Sequence, residues 1–283
     1  MSRFSSFWQA QNTLAAAQRS VAVASEPIHT PMAEYTTLSF PATDGQMLRA
    51  RYIRPLHANR APTLLYFHDY TCPPRGFFHM TRFLSAGYAV VAMENRANLP
   101  NIAANWEAAP QSLSYVQLYT DALTTAHVAA SLPHTGSLAA FGEGLGGGLA
   151  LVSAALMGRR ISLLACHNPL PADIPAIVDA GANADFYAGI RMHFRAEDPQ
   201  HLRKGEFLAA LAYVDLVNFA PMVSAQTLMG TSMMDAVTPP AAQDAVYAAL
   251  ACQKERLIYA KHIHERINDF EDELLAFLHR IYE

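Results

Sequence analysis

The chain reads as an α/β protein with a mostly parallel sheet and helices on both faces. Three observations predict this. Short apolar runs alternate with helix-length stretches for most of the 283 residues, the order that builds parallel sheets. One such run, residues 137–141, leads through Phe141-Gly142-Glu143-Gly144-Leu145-Gly146-Gly147-Gly148 into an apolar helical run over 149–157. That is a strand, a sharp glycine turn and a helix. Later, Asp235 and His264 each follow a strand-like run, in that order. The length allows one large domain or two small ones, and the alternation points to a single domain over 1–283, with an N-terminal arm (1–30) and a helical cap or insertion (169–218).

The elements follow in order. Residues 4–19 form a helix with Phe4, Phe7, Trp8 and Leu14 as a rough apolar stripe. Residues 35–40 and 47–53 alternate polar and apolar residues around Thr43-Asp44-Gly45, a hairpin signal. Residues 62–67 are a buried strand ending in His68-Asp69-Tyr70, and 71–76, with Pro73 and Pro74, is a loop. A helix over 76–86 and a strand over 88–93 follow. Residues 95–110 lack a period and read as a surface loop. Helical spacing of Leu113, Val116, Leu118, Leu123 and Val128 marks 112–132. After the glycine turn come a strand (161–166), the insertion, rich in charged and aromatic residues, a strand (226–230), a helix (239–251), a strand (256–260) and a last helix (267–282). Pro239 and Pro240 suit a first helical turn.

Composition narrows the function. Hydrophobic residues make up 52% of the chain, enough for a sizeable core, and the net charge of −4 comes without a basic block, so no nucleic-acid partner is expected. Cys72, Cys166 and Cys252 are far apart, with neither metal-ligand spacing nor a disulfide framework. No apolar run reaches the ~18 residues of a membrane span, and the first twenty residues are amphipathic. A cytoplasmic protein with no membrane partner is the expectation.

The glycine turn sits where a nucleophile elbow, Gly-x-Ser-x-Gly, would place its serine, and Gly144 stands at that position. The order of nucleophile position, acid and histidine is that of an α/β-hydrolase, which makes Gly144, Asp235 and His264 the candidate catalytic positions, with His262 as the competing histidine. An Asp before Pro-Pro is also an ordinary turn or N-cap residue, and a single His is more often structural. The ordered set, not either residue alone, carries the assignment. Backbone N–H groups of Leu145 and Tyr70 are the candidate oxyanion hole.

These residues resemble the acetyl xylan esterase and cephalosporin C deacetylase family of α/β-hydrolases. The resemblance runs from Phe7-Trp8 almost to the C-terminus. It takes in Asp44-Gly45-Gln46, Arg54-Pro55, Phe67-His68-Asp69-Tyr70, Gly146 to Leu151, Asp198-Pro199, Tyr213-Val214-Asp215, Met229-Gly230, Asp235 to Pro240 and His264-Glu265. It implies removal of acetyl groups from small sugars and related esters, no metal or other cofactor, and a homo-oligomer, commonly a hexamer. Three departures surround the site. Gly-Glu-Gly-Leu-Gly-Gly replaces the family's Gly-Gly-Ser-Gln-Gly-Gly. Asp69 stands where the family has glycine in His-Gly-Tyr. Arg96-Ala97-Asn98-Leu99 replaces Arg-Gly-Gln-Gly. Scaffold motifs stay while the site changes, so the missing serine reads as native.

Covalent acyl transfer by the usual route needs a nucleophile that Gly144 does not supply. Glu143 leaves the turn in another direction, and Ser232 lies by the acid loop. Three readings follow: a degenerate esterase-like protein that still binds a small acetylated or sugar ligand; a carboxylic ester hydrolase made weak by relying on a His264-activated water; or different chemistry reusing Asp235 and His264. Gly144→Ser is expected to restore part of an acetyl-esterase activity, opposed by turn strain and by negative charge at Asp69.

Overall fold

The computed structural model describes residues 2–18, 20–96, 101–181 and 183–283. Its strands form a single mixed sheet. At one end β1 (Ala22–Ser25), β2 (Ala33–Pro41) and β3 (Met47–Pro55) run antiparallel, and β3 pairs antiparallel with β5 (Ala89–Met93). From β5 onward the pairing is parallel, through β4 (Ala61–Phe67), β6 (Thr135–Glu143), β7 (Ile161–His167), β8 (Gln226–Ser232) and β9 (Lys254–Tyr259). The order is β1-β2-β3-β5-β4-β6-β7-β8-β9, the mostly parallel α/β-hydrolase sheet anticipated from the alternation.

Helices cover both faces because the central strands are apolar on both. Leu65 and Phe67 of β4 face a core filled by α1 (Arg3–Ala16), α3 (Ser114–Ser131), α4 (Leu145–Met157) and α9 (Pro240–Ala249). Leu64 and Tyr66 face the opposite core, with α2 (Phe77–Ser85) and α10 (Asn268–Leu278). Between β7 and β8 the chain is helical, with α5 (Ile174–Ala180), α6 (Ala188–Met192), a π-turn over His193–Glu197, α7 (Lys204–Leu211) and α8 (Leu216–Phe219).

Local chemistry sets several junctions. The β2–β3 turn uses Gly45 at φ 85°, and Asp44 Oδ1 accepts the Gln46 N–H at 3.0 Å. Arg96 ties that turn to α3. Its Nη1 and Nη2 reach Asp44 at 2.8 and 3.2 Å, while Nε and Nη2 reach Asp121 at 2.5 and 2.9 Å. Both Asp215 oxygens accept backbone N–H groups, from Asp173, Ile174 and Val217, and Asp198 does the same for Leu202 and Arg203.

The structure differs from the sequence reading in three places. Strand β1 was not anticipated; it is exposed along its length and shows no apolar face to read. Trp8 is fully buried and its Nε1 donates to the Tyr213 carbonyl at 3.0 Å, but Leu14 is 52% exposed, so the buried face of α1 ends on Ala15. The stretch after β5 is not only surface: Trp106 is buried against Phe207 and His193 of the insertion. Residues 97–99 of the Arg96–Leu99 departure lie outside the described residues. Among the described residues, no helix is long and apolar enough to cross a membrane.

Candidate functional site

Four chain segments converge at the C-terminal ends of the parallel strands, where open α/β sheets place their sites. His68 to Tyr70 leave β4, Gly144 lies between β6 and α4, Asp235 follows β8, and His264 follows β9.

Gly144 has φ 53° and ψ −122°, a conformation that L-residues adopt only under strain. The turn is pinned on both sides. The Gly144 N–H donates to the His167 carbonyl at 2.9 Å, and its own carbonyl accepts from Gly148 at 3.1 Å and Leu170 at 3.2 Å. Gly146 makes the close approach to β4 possible, since a Cβ there would lie 2.5 Å from the Phe67 carbonyl carbon. The turn has the backbone of an elbow and no side chain at its centre.

The acid and the histidine meet. His264 Nδ1–H donates to Asp235 Oδ2 at 2.7 Å. Asp235 is buried, and its Oδ1 accepts the N–H groups of Val237 at 2.7 Å and Thr238 at 2.9 Å, which fixes the carboxylate's aim. His262 is half-exposed and pairs with Glu265 instead, at 3.1 Å. Ser232 is buried in a network with His167 and Asn168.

The residue that sequence reasoning left without a role is Asp69. Its buried carboxylate reaches across to the elbow, where Oδ1 accepts the Leu145 N–H at 2.8 Å. Oδ2 accepts from Thr71 Oγ1 at 2.6 Å and faces His264 Nε2 at 3.3 Å. The Leu145 N–H, expected to wait for an oxyanion, is therefore engaged by a side chain. A Cβ on residue 144 would lie 2.5 Å from Asp69 Cγ and 2.9 Å from His264 Nε2. Asp69 occupies the volume that a serine side chain would need. The signal was present in the sequence: two departures, at 69 and 144, on loops that face each other across one site.

His264 lies between two carboxylates. Burial opposes its charge, but hydrogen bonds and charges from Asp235 and Asp69 outweigh this and push it up to about 9. Burial alone would raise the Asp69 carboxyl; His264, Thr71 and Leu145 overcome that and hold it below its ordinary value. Both ring nitrogens of His264 thus face an aspartate side chain, an arrangement that favours its protonated form. His167, buried nearby, is driven down to about 3 by burial and by the His264 charge. Burial, followed by the Glu271 charge, raises Glu143, which is almost fully enclosed.

Tyr70 stands with its ring 6.2 Å from His264 and 5.3 Å from Phe186 of the insertion. Its hydroxyl is pushed up to about 12 by burial and the surrounding carboxylates. It lines a cavity of about 500 Å³ with Asn101, Tyr115, Asp185, Phe186 and Met192. A second cavity, about 60 Å³, lies against Gly144 and is walled by Asp69, Arg75, Glu143, His264 and Arg266. No group of His, Cys, Asp and Glu suited to a metal occurs among the described residues.

With this geometry in place, comparison with known proteins is direct. The family model of acetyl xylan esterase (AXE1) matches residues 2–281. An acetyl xylan esterase 1 from Thermoanaerobacterium sp. JW/SL YS485 superposes with TM-score 0.93 at 24% identity, covering 99% of this chain and 94% of the other. An acetyl xylan esterase from Paenibacillus sp. R4 gives 0.91 at 24%, covering 99% and 95%. A cold-adapted esterase from an Arctic intertidal metagenomic library gives 0.63 at 13%, covering 92% and 98%. At these identities the superpositions carry the fold; the match of the family model over nearly the whole length carries the lineage. The chain belongs to the acetyl xylan esterase (AXE1) family.

Proposed function

We propose that this chain is an acetyl xylan esterase-like protein that has given up serine-type ester hydrolysis while keeping a pocket for a small acyl or sugar ligand. One observation carries the reading: the Asp69 carboxylate fills the nucleophile's volume and engages the Leu145 N–H. An ester carbonyl approaching this turn would meet no side-chain nucleophile at Gly144. The donor expected for its oxyanion is already engaged by a negative charge. The cavity by Tyr70, Tyr115 and Phe186 offers aromatic faces with Asn101 and Asp185 at its edge, a lining suited to a small, partly polar ligand.

The weak-hydrolase reading, in which His264 activates a water, has less support. A general base must be unprotonated, and the two carboxylates hold His264 in its charged form through neutral pH. A cytoplasmic homo-oligomer remains part of the proposal, on the family resemblance.

Hydrolysis of a small acetyl ester by four purified proteins tests the reading. Wild type and Asp69→Gly should be inactive. Gly144→Ser, expected from the sequence to restore part of the activity, should stay near background, because Asp69 blocks the serine. Gly144→Ser with Asp69→Gly should exceed either single variant by at least ~100-fold, the order of one oxyanion donor's contribution. Wild-type turnover lost on His264→Ala would overturn the proposal in favour of the activated water.

A further inference from the structure

The cavity beside Gly144, about 60 Å³, has room for roughly four waters at ~15 Å³ each, hence for a ligand of a few heavy atoms. Its walls join two chemistries. One is the Asp69 carboxylate, backed by His264 and Asp235. The other is cationic. Arg266 is paired with Glu271, but Arg75 has no carboxylate within ion-pair distance among the described residues, and its Nε is buried without a partner. Glu143 lines the same cavity, and burial moves it toward its neutral form. Beside the carboxylate, Arg75 thus lines a small space with Tyr66 and Glu143 as its neighbours and no carboxylate within ion-pair distance among the described residues.

We propose that Asp69 is a relocated nucleophile that displaces halide from the sp3 α-carbon of a small 2-haloacid, whose carboxylate Arg75 receives. The inference rests on the reading that serine chemistry is gone, and it gives the vacated site a different reaction. The substrate class follows from the nucleophile. A carboxylate attacking an acyl carbon yields an anhydride that readily reverts, whereas attack on a saturated carbon yields an ester that water can open. Asp69 Oδ1 accepts a single hydrogen bond, from Leu145, while Oδ2 is held by Thr71 and His264; one lone pair of Oδ1 is left to attack. The C–O bond forms as the carbon–halogen bond breaks, and halide leaves with the electron pair.

Alkylation removes the negative charge of Asp69. His264 then faces one carboxylate instead of two, so it gives up its proton more readily and can act as the base that it is not in the resting site. It takes a proton from water. The resulting hydroxide adds to Asp69 Cγ, with the tetrahedral oxyanion on Oδ2 against the Thr71 hydroxyl; the Cγ–Oδ1 bond then breaks, His264 returns its proton to the departing alkoxide, and the 2-hydroxyacid leaves a free Asp69. The balance is haloacid plus water to hydroxyacid plus halide and a proton.

Chloroacetate is the probe. Wild type should release chloride, and in ¹⁸O water it should carry label into the Asp69 carboxylate. His264→Gln should accumulate one carboxymethyl ester per chain, on Asp69 by peptide mapping, with turnover down at least ~100-fold. Asp69→Asn should release chloride no faster than buffer. Arg75→Met should raise KM for chloroacetate at least ~10-fold with kcat little changed, and chloroethane, which has no carboxylate, should not react. Absence of chloride release, modification confined to Cys72, or label absent from Asp69 would overturn the proposal. Equal turnover of chloroethane would overturn the role of Arg75. Neither result bears on the acetyl-ester series, which tests the underlying reading separately.

Discussion

His264 faces Asp235 from the β8 loop, Asp69 from the β4 loop, the Tyr70 ring and, from β7, His167. With its folded-state value raised to about 9 from an ordinary 6.5, its stabilising contribution is fully present below about pH 6.5. It is lost as pH rises toward 9, since the unfolded chain gives up that proton first. An NMR titration of the His264 ring should therefore show a midpoint near 9, and Asp69→Asn should lower it by at least about one unit. An unchanged midpoint would mean that Asp69 does not hold the charge. The pairing of Asp235 with His264 was legible in the sequence because chain order and strand-end loops constrain it. The role of Asp69 was not. A side chain that crosses from one loop to fill another's vacancy leaves no periodic or spacing signal, only paired departures whose meaning needs three dimensions.

Among the elements, the central strands and the elbow were readable because apolar runs buried on both faces have few other solutions. Strand β1 was not, being short, exposed and without alternation. Several motifs that carried the family resemblance turn out to be junctions of the scaffold: Asp215 and Asp198 gather backbone N–H groups, and Asp44 anchors Arg96. Arg96 is the sharpest case, because Asp121 behind it is almost fully buried. Arg96→Ala leaves that carboxylate without its cation, and thermal or denaturant unfolding should register a loss of about 3–5 kcal/mol. A loss below about 1 kcal/mol would mean that Gln117, which also donates to Asp121 at 2.9 Å, suffices by itself.

At the scale of the molecule, the sheet and the helices on its two faces follow the fold of the esterase neighbours, and two of the three departures meet in space, at the turn of Gly144 and the loop of Asp69. The proposed homo-oligomer should appear in light scattering as a particle several times the 31.0 kDa chain, and a monomer across a wide concentration range would end that proposal. The fit between residues 69 and 144 also constrains how such a site could have arisen. Serine at 144 and aspartate at 69 would compete for the same space, so from a serine-bearing ancestor the side chain at 144 had to go before the aspartate could settle. Once it had settled, restoring the serine alone meets a filled site, and removing the aspartate alone strips the Leu145 N–H and His264 of their partner. Each single step back leads through a worse protein, so the exchange behaves as a ratchet.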